Sequence, residues 1–184
     1  CIRDRLYPHR VGIGEMVREH REAWPEAYRG YRQDNNLTIA EALRAAGYHT
    51  AMAGKWHMGK AYTPVDCGFD DFYGFLNGAM TYWNPERYVR LPKTAPQRDY
   101  ARDEFYATDA ITDYAIDFAA QARERNKPLF LHVAYNAPHF PLQAPRERID
   151  HYMAVYLKGW DAIREEREVR LRQLGFCLLY TSPS

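Results

Sequence analysis

The chain has 184 residues, 46% hydrophobic and 27% charged, with a formal net charge of +1. That is the balance of one ordinary globular domain and not of a disordered chain, and it gives no bulk electrostatic case for nucleic acid or an anionic membrane. No apolar run reaches the ~20 residues of a membrane-crossing helix, and no signal peptide is visible. Cys1, Cys67 and Cys177 have no tight spacing, so they form neither a disulfide framework nor a zinc site.

In chain order, residues 1–36 are rich in Arg, Tyr, Gly and Pro and read as mostly loop. Thr38 and Glu41 then fit a capping box, and Ile39, Leu43 and Ala46 share one helical face. Gly47 fits the position after a helix that tolerates positive φ. Residues 48–53 read as a short strand, completing an αβ unit. Residues 59–106 show little period and are dominated by Gly, Pro, Asp and Tyr. They read as a long structured loop with short pieces of strand, and loops of that length are usually functional. A second helix is predicted over 108–125, with a stripe of Ile111, Tyr114, Ala115, Phe118 and Ala122. Residues 128–135, PLFLHVAY, read as a strand buried on both faces, as in a parallel sheet. A last helix is predicted over 160–174. The pattern argues for an α/β fold with a mostly parallel sheet flanked by helices.

The stretch AGKWHMG at 53–59 places Lys55 and His57 two residues apart, between glycines, at the end of the first strand. Strand alternation points both side chains the same way, with Trp56 opposite. Parallel α/β sheets bind ligands at the carboxyl ends of their strands. There a lysine supplies a cation with three N–H donors, and a histidine can move a proton near neutral pH. Gly54 and Gly59 would let the backbone come close to a ligand. Taken alone, a Lys-x-His at a strand end is more often a solvated edge. A second feature changes the balance. Asn136-Ala137-Pro138-His139-Phe140-Pro141 follows the second strand, so His139 should arrive at the same sheet edge, on a backbone stiffened by prolines. Lys55, His57 and His139 would then converge as a catalytic constellation.

These residues resemble the sulfatases, within the alkaline-phosphatase-like superfamily. GYHTAMAGKWH at 47–57 is similar to the family's second signature, which is long and specific. In the same order, YPHRVGIG at 7–14 is similar to the segment soon after the family's nucleophile motif, and GFDDFYG at 68–74 to the stretch after the second signature. PLFLHVAYNAPHFPLQAP at 128–145 resembles the strand and loop that carry the leaving-group histidine, and GWDAIREER at 159–167 the helix that follows. The resemblance covers residues 6–175 and is best to arylsulfatases of bacterial type. It implies a partial alkaline-phosphatase-like sandwich and hydrolysis of sulfate esters on a small molecule or glycan. Lys55 would contact sulfate oxygens, His57 would help break down the sulfated intermediate, and His139 would help protonate the departing alcohol.

The chain also departs from the family pattern. The family's nucleophile is a formylglycine made in a Cys-x-Pro-x-Arg motif. Here Cys1-Ile2-Arg3-Asp4-Arg5 lacks the proline and lies too close to Tyr7, so Cys1 is not assigned as nucleophile. The resemblance implies a calcium ion for the full-length protein, with ligands outside this chain, and a periplasmic or secreted location. The chain therefore reads as an internal segment, residues 6–175, inactive alone, with residues 1–5 and 176–184 as non-native or disordered ends. Two alternatives stand beside the sulfatase reading. One is a phosphoesterase or phosphonate hydrolase of the same superfamily, because phosphate and sulfate esters share tetrahedral oxyanion geometry. The other is a non-catalytic glycan-binding module, with Tyr82, Trp83, Tyr88 and Tyr100 stacking on a sugar, although such aromatics are more often packing. Arginines and glutamates alternate over 164–172, which reads as a solvated helix face.

Overall fold

Thr38 opens α1 (Ile39–Ala45) with the capping box that the sequence predicts. Its hydroxyl accepts from the Glu41 amide at 3.0 Å, and the Glu41 carboxylate accepts from the Thr38 amide at 2.6 Å. Gly47 follows the helix at φ 89°, and β1 (His49–Lys55) begins two residues later. The structure is a computed structural model that describes residues 7–16, 23–30, 36–59 and 62–176. Of the ends set apart above, residues 1–5, with Cys1, and 177–184 lie outside the described residues, while the Phe176 amide donates to the Leu171 carbonyl at 3.0 Å.

Residues 1–143 form one compact unit and residues 144–184 a second. The first unit holds a four-stranded sheet in the order β3-β2-β1-β4, where β2 is Asp71–Phe75, β3 Val89–Leu91 and β4 Leu129–Ala134. β1 runs parallel to both β2 and β4, and only β3 is antiparallel. The mostly parallel α/β sheet predicted from the sequence is thus present. Alternation along the strands sorts the core into two layers. Ala51, Ala53, Tyr73 and Phe75 pack against α2 (Ala107–Glu124) through Ile111, Tyr114 and Phe118. Met52 and Phe72 face the other way, in a cluster with Ala40 of α1 and with Trp56, Cys67 and Phe69. Every residue of the predicted α2 stripe is buried.

Three features differ from the sequence reading. Residues 59–106 contain β2, a central strand that is buried throughout, and not merely scraps of strand. Its Asp71 and Gly74 look like turn residues. Asp71, however, is buried in an ion pair with Arg90 and lies 3.4 Å from His49, and Gly74 is needed for close packing. β4 is half-exposed where burial on both faces is predicted, because it forms the edge of the described sheet. The second unit contains α3 (Arg146–Tyr156) as well as the predicted α4 (Trp160–Gln173). Neither helix has a buried residue, so α3 carries no apolar stripe to announce it. Among the described residues no helix is long and apolar enough to cross a membrane.

Thr50, in the second position of β1, ties the sheet at its amino edge. Its hydroxyl donates to the Gly68 carbonyl at 2.7 Å, and its amide donates to Asp70 Oδ2 at 3.0 Å. Gly54 does comparable work at the other edge. A Cβ there would lie 1.9 Å from the Ala134 carbonyl oxygen, and one on Gly74 would lie 1.9 Å from the Gly54 oxygen. The close neighbour that Gly54 admits is therefore the backbone of β4, not a ligand. Replacing Gly54 by Ala must part β1 from β4, and the expected loss of stability exceeds about 3 kcal/mol. Gly47 is a control: it also has positive φ, but nothing lies within 4 Å of its missing Cβ. Gly47→Ala should cost only the left-handed penalty of about 1–2 kcal/mol. Urea denaturation of both variants checks the contrast, and equal losses would contradict it.

Candidate active site

The three parallel strands end together. Lys55 is paired with Phe75 and Gly54 with Ala134, so the segments leaving β1, β2 and β4 emerge at one edge of the sheet. Lys55 is the last residue of β1 and is half-buried. Ladder bonding runs on past the strand, with the Trp56 amide donating to the Phe75 oxygen at 3.0 Å and the His57 amide to the Leu76 oxygen at 3.1 Å. Trp56 turns into the core, its indole N–H donating to the Tyr62 carbonyl at 2.8 Å. His57 itself has φ 51°, a left-handed conformation. The simple strand alternation assumed from the sequence therefore ends at Lys55, and a turn delivers the imidazole.

The His57 ring packs on Gly78 in the segment that follows β2. A Cβ on Gly78 would sit 2.7 Å from His57 Nε2 and 2.8 Å from Cε1. Burial, then the positive charge of Lys55, then that of His139 hold the His57 imidazole below its ordinary value near 6.5. Among the described residues no carboxylate acts on that ring. The same charges show that the three sequence-predicted residues share one neighbourhood.

His139 arrives on the turn after β4. The Asn136 carbonyl accepts from the His139 amide at 2.8 Å, around a cis peptide before Pro138, a turn geometry that carries cis proline at its third position. The imidazole is exposed, and its Nδ1 lies 2.6 Å from the Phe140 carbonyl oxygen. A carbonyl only accepts, so Nδ1 carries the proton, and Nε2 is left to face a reactant.

Residues 80–82 strap this turn from behind. The Tyr82 phenol donates to the His139 carbonyl at 2.9 Å, and Asn136 Nδ2 donates to the Met80 carbonyl at 2.5 Å. Gln143 Oε1 accepts from the Tyr82 amide at 3.0 Å. Sequence reasoning missed Gly78, Asn136 and Gln143, and it weighed Tyr82 only as packing or as a sugar-stacking residue, without the bond to His139. No local signal could have found these contacts, since the hydrogen-bonded partners lie 56 to 61 positions apart. Tyr82 is 1% and Tyr88 3% exposed, and Tyr100 is half-buried against Phe105. Of the four aromatics proposed for a sugar platform, only Trp83 is exposed, at 37%.

A cavity of about 620 Å³ lies elsewhere, lined by Asp70, Asp71, Arg90, Arg98, Arg125 and Lys127 among others. Most of its charges are already paired: Arg90 and Arg125 with Asp71, and Arg98 with Asp117. The carboxyl edge, where Lys55 and His139 face His57 and no carboxylate of the described residues does, is the better candidate site for an anionic reactant.

The sulfatase family profile matches residues 1–176. The chain belongs to the sulfatase family. This sulfatase chain is 34% identical to an arylsulfatase of Klebsiella aerogenes over 90% of its own length and 37% of that enzyme. It is 35% identical to arylsulfatase J of Mus musculus over 66% of its length and 22% of the relative. Among solved structures it resembles Ps i-CgsB in complex with k-i-k-neocarrahexaose, with a TM-score of 0.65 and 27% identity, over 82% of this chain and 36% of that one. The sulfatase chain thus spans about a third of the length of such relatives, and its sheet is part of the alkaline-phosphatase-like fold.

The depressed His57 has a direct test. Burial and two cations disfavour the protonated ring, so removing one cation must raise its pKa. NMR titration should find His57 titrating below the ordinary histidine value near 6.5. In Lys55→Met the midpoint should move up. No movement would mean that Lys55 does not face the ring.

Proposed function

We propose that the protein carrying this chain hydrolyses sulfate esters, with Lys55, His57 and His139 as its catalytic residues. The observation that carries this reading is the arrival of all three at one sheet edge of a sulfatase-family fold, Lys55 and His57 from the end of β1 and His139 from the turn after β4. A sulfate ester bears one negative charge, and charge builds on the bridging oxygen as the S–O bond breaks. Lys55 would hold the non-bridging oxygens. His139, protonated at both nitrogens, would give its Nε2 proton to the departing alkoxide or phenoxide. Both groups act more strongly on the transition state than on the ester itself. His57, kept neutral by its surroundings, would serve as the base that helps break down the sulfated intermediate.

The substrate class proposed is a sulfated carbohydrate or aryl sulfate. Support comes from arylsulfatases among the relatives and from a structural neighbour solved with a neocarrahexaose. The phosphoesterase and binding-module readings find no such support. The family resemblance also implies calcium held by oxygen ligands. Among the described residues no three His, Cys, Asp or Glu side chains are grouped to hold a metal, and buried Asp71 is committed to Arg90. These residues do not fit the ion, and no step here runs through it.

Steady-state kinetics on 4-nitrophenyl sulfate and 4-nitrophenyl phosphate would test the reading. The sulfate ester should turn over faster, and Lys55→Ala, His57→Ala and His139→Ala should each lower kcat by about 100-fold or more. Faster phosphate turnover would favour the phosphoesterase reading. Substitutions that leave kcat intact would remove these residues from the site.

A further inference from the structure

One short segment, residues 78–82, touches both histidines. At its start Gly78 lies flat against the His57 ring, with no room for a Cβ. At its end the Tyr82 phenol holds the carbonyl of His139, and between them the Met80 carbonyl takes the amide of Asn136. The segment is itself fixed to the core. The Tyr88 phenol donates to the Thr81 carbonyl at 3.0 Å, and the Ala107 amide at the start of α2 donates to the Tyr82 carbonyl at 2.9 Å. Tyr82 is fully buried and stacks on Tyr106 with ring centres 6.0 Å apart.

His139 has little else to hold it. Its side chain is exposed, and it follows an edge strand that is itself half-exposed. The ring's own hydrogen bond, to the Phe140 carbonyl, is local and moves with the turn. Tyr82 bonds the turn at the carbonyl of His139 itself, so it fixes the backbone from which the imidazole projects.

We infer that residues 78–82 are a shared brace that sets the separation of His57 and His139, with Tyr82 as a positioning residue for the leaving-group histidine. The inference rests on the sulfatase reading above for the role of His139, but not for the geometry. Tyr82 acts through His139 and touches no reacting atom. Its loss should matter in proportion to how much the leaving group needs a proton.

The test is Tyr82→Phe in the full-length protein, which keeps the ring and its packing and removes only the hydroxyl. Two esters are compared: 4-nitrophenyl sulfate, whose leaving group departs readily as an anion, and phenyl sulfate, whose leaving group is more basic. The expected result is a fall in kcat/KM of about tenfold or more for phenyl sulfate, against less than about twofold for 4-nitrophenyl sulfate. A second readout needs no turnover. Proton–nitrogen NMR spectra should show the His139 ring signals shifted and broadened in Tyr82→Phe, while the Nδ1-protonated form, set by a bond internal to the turn, is kept. Gly78→Ala should shift the His57 ring signals. Equal losses on both esters, or a His139 spectrum unchanged by Tyr82→Phe, would overturn the brace. A parent protein that hydrolyses neither ester would instead defeat the sulfatase reading, and the NMR comparison would still decide the brace.

Discussion

Gly54 of β1 sits between Gly74 of β2 and Ala134 of β4, and at that level the backbones approach too closely for a Cβ on either glycine. One residue further on is Lys55, and three further on is His57. Close packing at the carboxyl ends of three parallel strands is thus the floor on which the candidate site stands. It brings the segments after β1, β2 and β4 within hydrogen-bonding range of one another. The bonds from His57 to Leu76 and from Asn136 to Met80 then continue upward what the sheet begins.

The two edges of the sheet handle charge in opposite ways. At the amino edge, His49 lies among Asp70, Asp71 and Arg125, and Arg90 pairs with Asp71. Arg125 lies 3.1 Å from His49 Nδ1, a contact that requires this nitrogen to be bare, and burial duly pushes the ring below its ordinary value. Opposite charges there compensate in place and hold the strand starts together. At the carboxyl edge the groups of the described residues that act on His57 are a lysine and a second histidine, with no carboxylate among them. Uncompensated positive charge beside a partly buried imidazole disfavours protonation of that imidazole and attracts an anion. That asymmetry, more than the size of any cavity, separates the candidate site from the structural edge.

Much of this was legible in the sequence because it is written locally. The capping box at Thr38 and Glu41, the apolar stripe of α2 and the run from Leu129 to Ala134 are short-range patterns, and each forms its element. That Lys55, His57 and His139 reach one sheet edge was legible for a related reason: each lies at or soon after the end of a recognisable strand. β2 was hidden because Asp71 and Gly74 imitate a turn, and only the distant partners Arg90 and Gly54 explain them. The burial of Tyr82 is the commoner outcome for an aromatic residue in a loop, but what it holds there is not written locally. Its bond to His139 spans 57 positions, beyond the reach of any periodicity.

The most direct measurement is a crystal structure of the full-length protein with a non-hydrolysable sulfate ester analogue, such as a sulfamate. The account predicts Lys55 Nζ and a His57 ring nitrogen within hydrogen-bond distance of the sulfuryl oxygens, and His139 Nε2 facing the bridging atom. An analogue seated instead in the cavity beside Arg90 and Arg98, with the three residues empty-handed, would contradict it.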